Sequence, residues 1–117
     1  MSQLTTSVIK LIIADDHELV RQGIRNFLET QEEFQIVAEA GDANAAARVC
    51  SLHQPQVALV DLMMPGGGVL ATQLINEQSP HTHVIILTSF EDDQVIHQAS
   101  DAGALSYLLK DVDAAIL

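Results

Sequence analysis

The chain has 117 residues, 48% of them hydrophobic, and sixteen acidic side chains against five basic ones give a formal net charge of −11. This length suits one domain, and the apolar fraction supports a packed core rather than a disordered chain. The acidic balance excludes a phosphate-backbone surface for DNA or RNA on this segment and disfavours anionic membranes, and a lone cysteine, Cys50, excludes an internal disulfide.

Met1–Ser7 is polar and is expected to fray. Val8–Ala14 reads as the first strand; it is too short for a membrane span or a signal-peptide core and runs straight into Asp15-Asp16, so a cytoplasmic protein is expected. A helix is predicted from Asp16 or His17 to about Gln31. Its apolar residues Val20, Ile24, Phe27 and Leu28 share one face of a 3.6-residue period. Phe34–Ala40 fits the second strand. Gly41-Asp42 with Asn44 then supplies turn and cap chemistry for a helix over Ala43–Leu52, where Cys50 reads as a quiet, half-buried thiol.

Pro55 disfavours helical geometry in the residue before it and ends that helix. Val57–Val60 is the third strand and closes on Asp61. Met64-Pro65-Gly66-Gly67-Gly68 is a loop, its glycines read as a flexible turn, and a helix over Val69–Gln78 lasts until Ser79-Pro80. His83–Leu87 is the fourth strand, Asp92–Ala102 the fourth helix with Gly103 as its stop, and Ala104–Leu109 the fifth strand. Seven residues follow Lys110, barely two helical turns at about 1.5 Å per residue. The chain thus reads as ending inside a truncated fifth helix, whose loss would bare apolar surface near strands one and five.

Strands alternating with helices of this length indicate an α/β fold with a parallel sheet and right-handed crossovers. Three Phe and one Tyr leave the core to aliphatic side chains. Strand two ends in no polar candidate, as an edge strand does. That favours a flavodoxin-like, doubly wound sheet of order 2-1-3-4-5, with a site where strands one and three part.

The other four strands end in chemistry: Asp15-Asp16, Asp61, Thr88-Ser89 and Lys110. An isolated acid pair reads first as a helix cap. A third acid at another strand end shifts the balance toward a site for a hard cation such as Mg²⁺, which takes oxygen ligands. Asp61 is the candidate nucleophile, since a carboxylate can attack a phosphoryl group to give an acyl phosphate. A lone lysine usually snorkels, but Lys110, directly after an apolar strand, is placed to pair with Asp61 or a phosphoryl oxygen. Thr88 and Ser89 can hold phosphoryl oxygens. No P-loop and no dinucleotide fingerprint is present, and His81-x-His83 lacks zinc-ligand partners. His17, next to the acid pair, either touches the site or lies on the first turn of its helix, the latter being the favoured reading.

Together these residues resemble the response-regulator receiver domains of two-component signalling. The resemblance rests on Ala14-Asp15-Asp16-His17-Glu18, Val60-Asp61-Leu62-Met63-Met64-Pro65, Leu87-Thr88-Ser89 and Ala102-Gly103-Ala104-Leu105-Ser106-Tyr107-Leu108-Leu109-Lys110. The acid–histidine start and the Tyr-Leu-Leu-Lys ending are similar to the NarL/FixJ (LuxR-type) subfamily. The resemblance implies the same strand order and a set of roles. Asp61 would accept phosphate from a sensor histidine kinase; Asp15, Asp16, Asp61 and the Met63 carbonyl would hold Mg²⁺; Lys110 would pair with the phosphoryl group. Thr88 and Tyr107 would act as the switch, changing the surface around the fourth helix, fifth strand and fifth helix. It also implies homodimerisation through that face, transcription regulation through a C-terminal helix-turn-helix domain outside this chain, and no enzymatic role beyond assisting its own phosphorylation and dephosphorylation.

The loop departs from the family's frequent Met-Pro-Gly-x-x-Gly-Val-x-Ala-Thr: Met64-Pro65-Gly66-Gly67-Gly68-Val69-Leu70-Ala71-Thr72 is one residue shorter, and Leu70 stands where a polar residue is common. Two other readings compete. A phosphatase with an aspartyl nucleophile would need a second acid at the position of Met63. A pseudo-receiver, an interaction module indifferent to phosphate, would not need the full acid, hydroxyl and amine set.

Overall fold

The computed structural model describes residues 8–88, residues 98, 101, 103 and 104, and the backbone of 106–109. Ser89, Lys110, the Tyr107 side chain, most of the expected fourth helix and the expected fifth helix lie outside the described residues. The elements in order are β1 (Ile9–Ala14), α1 (Glu18–Leu28), β2 (Phe34–Ala40), α2 (Ala43–His53), β3 (Val57–Asp61), α3 (Gly68–Gln78), β4 (His83–Thr88) and β5 (Ser106–Leu109). The strands form one sheet of order β2-β1-β3-β4-β5, and every pairing is parallel. No helix among the described residues is long and apolar enough to cross a membrane.

Successive side chains alternate between the two faces of the sheet, and the chain uses both. Ile12, Ala14, Ala58, Val60, Val84 and Ile86 pack with Ala46, Cys50, Ala71 and Ile75 of α2 and α3. Leu11, Ile13, Leu59 and Leu87 pack on the other face with Ile24 and Leu28 of α1. Burying each large aliphatic side chain contributes roughly 1.5–3 kcal/mol, and this drive selects the layered arrangement.

Two local features refine the expected elements. Helix α1 starts at Glu18 and stops at Leu28, three residues short of Gln31. Thr30 and Gln31 there turn back, their amides donating to the carbonyls of Phe27 and Leu28. The second feature is a break in register between β1 and β2. Leu11 pairs with Ile36 but Ile12 pairs with Ala38, so Val37 is an extra residue. A one-residue slip exchanges the two faces of a strand. Phe34 and Ile36 accordingly face α1, whereas beyond the break Ala38 and Ala40 join the α2 side. Glu39 is thereby turned toward α1.

At the opposite end of the sheet from the acids, Gln54 ends α2 in a left-handed conformation, φ 47°. Buried Ser79 and Thr82 share a hydrogen bond of 2.5 Å, and Thr82 donates to the Pro55 carbonyl at 2.6 Å. These bonds tie the ends of α2 and α3 together, leaving the other sheet end for chemistry.

Candidate functional site

Parallel pairing brings the acids together. Ala14 of β1 pairs with Val60 of β3, so the next residues, Asp15 and Asp61, emerge side by side. Both are buried, at 0% and 2% exposure. Ligand atoms of Asp15, Asp16, His17 and Asp61 all lie within 4.8 Å of one another. Two ionised carboxylates at that separation repel by about 3 kcal/mol at an effective dielectric constant of about 20. A cluster of hard oxygen donors with this repulsion suits a divalent cation such as Mg²⁺.

The loop after β1 is held at several points. The Asp15 amide donates to the Ala40 carbonyl at 3.0 Å, and Asp15 Oδ1 accepts from the His17 amide at 2.8 Å. The acid pair is therefore not a helix cap: the residue before α1 is His17, with extended backbone, and no side-chain bond caps that helix. His17 itself departs from its expected place on the first helical turn. Its Nδ1 lies 3.2 Å from Asp15 Oδ1 and 3.1 Å from Asp16 Oδ1, because the extended residue turns its ring back over the acids.

Around Asp61 the backbone is equally constrained. The Met63 amide lies 3.3 Å from Asp61 Oδ1, and the Leu62 amide donates to the Leu87 carbonyl at 2.9 Å. Met63 is mostly exposed beside the acids. Thr88 is fully buried at the end of β4, one residue beyond Leu87, the partner of Asp61, and it pairs with Leu109 of β5.

The turn at Gly66–Gly68, expected to be flexible, is crowded at its two ends. Gly66 has φ +86°, and a Cβ there would lie 2.7 Å from that of Ala43. A Cβ on Gly68 would lie 2.7 Å from Leu62 Cα. The loop therefore packs Gly66 against α2 and Gly68 against the end of the phosphoacceptor candidate's own strand, with Gly67 in open space between them, and the Ala43 amide donates to the Pro65 carbonyl at 3.0 Å.

Two residues escaped sequence reasoning. Arg21 Nη1 donates to the main-chain carbonyl of Asp15, and its Nε donates to Glu39 Oε1 at 3.1 Å. Arg25 Nη1 donates to Glu39 Oε2 at 2.6 Å, which raises the Arg25 pKa through hydrogen bond and charge. The spacing of Arg21 and Arg25 on one helix face was visible, but their partner was not. Cys50 is fully buried rather than half-buried, and burial pushes its thiol up to about 12, far from any nucleophilic use.

The family profile for the response regulator receiver domain matches residues 11–117. The chain belongs to this family. The receiver domain is 41% identical over 109 residues to the transcriptional regulatory protein LiaR of Bacillus subtilis (strain 168), covering 92% of this chain and 52% of LiaR. It is 40% identical over 104 residues to the oxygen regulatory protein NreC of Staphylococcus epidermidis (87% and 48% covered). Among solved structures, the signal receiver domain of NarL from Mycobacterium tuberculosis superposes with a TM-score of 0.88 at 30% identity, covering 94% of this chain and 90% of that one. These are regulators of the NarL/LuxR type, as the sequence resemblance implied, and the chain spans about half the length of the curated relatives it matches.

Proposed function

We propose that this receiver domain accepts a phosphoryl group on Asp61 and that the modified site switches an output carried elsewhere in a longer protein. The observation that carries this reading is the meeting of buried Asp61 with Asp15 and Asp16 at one sheet edge. In the proposed step an Asp61 carboxylate oxygen attacks the phosphorus of a kinase phosphohistidine. A P–O bond forms, the P–N bond breaks, and the leaving imidazole takes up a proton. The product is an acyl phosphate on Asp61.

Asp15, Asp16 and Asp61, with the Met63 carbonyl, would hold Mg²⁺, which when bound supplies charge neutralisation for the transferring group. The Met63 amide, already directed at Asp61 Oδ1, stabilises added negative charge. Lys110 would pair with the phosphoryl oxygens, Ser89 would help hold them, and Thr88 would move toward them with Tyr107 following. Such a local charge event biases a bistable element.

The partners of this reading are a sensor histidine kinase, a second copy of the chain and, through a further domain, DNA. Its support is that LiaR is a transcriptional regulatory protein and that a structural relative from Staphylococcus aureus is a DNA-binding response regulator of the LuxR family. An aspartyl phosphatase finds no support: Met63 offers no acid or base where one is required. The phosphate-independent alternative finds none in the geometry either.

The test is labelling with acetyl phosphate and MgCl₂. One phosphoryl group per chain is expected by intact mass, and none in Asp61→Asn. Equal labelling of that variant would overturn the assignment.

A further inference from the structure

Arg21 lies on α1, outside the acid cluster, and its hydrogen bonds go to no carboxylate of the cluster. Its guanidinium instead spans one main-chain and one side-chain acceptor: the Asp15 carbonyl through Nη1 and Glu39 through Nε. Glu39 is in turn held by Arg25, four residues further along the same helix face. The Asp15 residue is thus fixed on both sides, its N–H by Ala40 of β2 and its C=O by Arg21. The carbonyl of Asp15 belongs to the peptide unit that orients Asp16.

We propose that Arg21 is a positioning residue for the cation-binding acids, and that Glu39 anchors it and offsets its charge. The inference rests on the Mg²⁺-dependent reading of the site. A planar guanidinium can bind two acceptors in fixed directions, whereas an ammonium is a point charge without that fork. Partners behind a metal site's ligands commonly set affinity by 10–100-fold through ligand orientation.

The sign of the effect separates this role from a bystander charge. A positive group near three carboxylates opposes a dication, so removing a bystander would tighten Mg²⁺ binding. Removing a positioning group weakens it. The experiment is isothermal titration of wild type, Arg21→Met and Arg21→Lys with MgCl₂, with thermal melting to establish that each variant folds. Arg21→Met is expected to bind Mg²⁺ about tenfold more weakly, with Arg21→Lys recovering only part of the loss. In acetyl phosphate labelling, the half-saturating Mg²⁺ concentration should rise while the rate at saturating Mg²⁺ returns to that of wild type.

Equal or tighter binding by folded Arg21→Met overturns the proposal while leaving the parent reading intact. Absence of Mg²⁺ binding by wild type overturns both. Should Arg21→Met not fold, Arg21→Lys decides: it keeps the charge but loses the fork, so weaker binding supports the proposal and unchanged binding overturns it.

Discussion

Asp61 and Gly68 are seven residues apart, yet a methyl group on Gly68 would lie 2.9 Å from the Asp61 main-chain oxygen. The first turn of α3 therefore rests on the end of β3, and the Gly68 amide donates to the Leu62 carbonyl at 2.8 Å. The obstacle is backbone on both sides, which cannot rotate away as a side-chain tip can. Gly68→Ala is expected to lower stability by about 1–3 kcal/mol, measured by urea denaturation. Wild-type stability in that variant would mean the loop yields freely.

Magnesium should stabilise the fold as well as support labelling. With cation at a hundred times its dissociation constant, linkage gives about 2.7 kcal/mol. Melting of the wild type with and without MgCl₂ reads this directly, and Asp15→Asn should lose most of the increment.

The core on the α2 and α3 side should be the less forgiving place for truncation. Ile75 is fully buried there, whereas Leu52 is 76% exposed. Ile75→Ala is expected to cost about 2–5 kcal/mol, and Leu52→Ala less than about 0.5 kcal/mol. Similar denaturation midpoints for the two variants would contradict the packing described.

Helix α2 depends on the residue that caps it. Asp42 accepts a hydrogen bond from the Ala45 amide at 2.7 Å. Asp42→Ala should therefore lose about 0.5–2 kcal/mol, detectable as a lower urea midpoint with an unchanged slope.

Cys50 gives a pH dependence of definite sign. Burial lifts its thiol from 9.0 to about 12 in the folded chain, so between those values the unfolded chain has lost a proton the folded chain retains. Its contribution to stability is full below pH 9 and declines as pH rises toward 12. Cys50→Ala should flatten that decline in denaturation curves recorded across the range. At a pH of about 8, below the ordinary thiol value, the native thiol should react with iodoacetamide only as fast as the chain opens.

The sequence by itself determined the strands, their parallel pairing and the collection of acids at one edge, while the order of the sheet drew in part on the family resemblance. Those arise from local patterns: apolar runs closed by Asp15, Asp61 and Thr88, and amphipathic spacing in α1. A run buried on both faces must be a central strand, and the residue after its last apolar position must lie at the sheet's carboxyl edge. Tertiary structure decided what braces the acids. The extra residue at Val37 turns Glu39 toward Arg21 and Arg25, and no period in the sequence reveals a slip that depends on pairing with β1. It also decided between the two readings of His17, placing its ring over Asp15 and Asp16, and made Gly66 and Gly68 tight contacts rather than slack. Each of these is set by neighbours distant along the chain, where packing and long-range hydrogen bonds outweigh local preference.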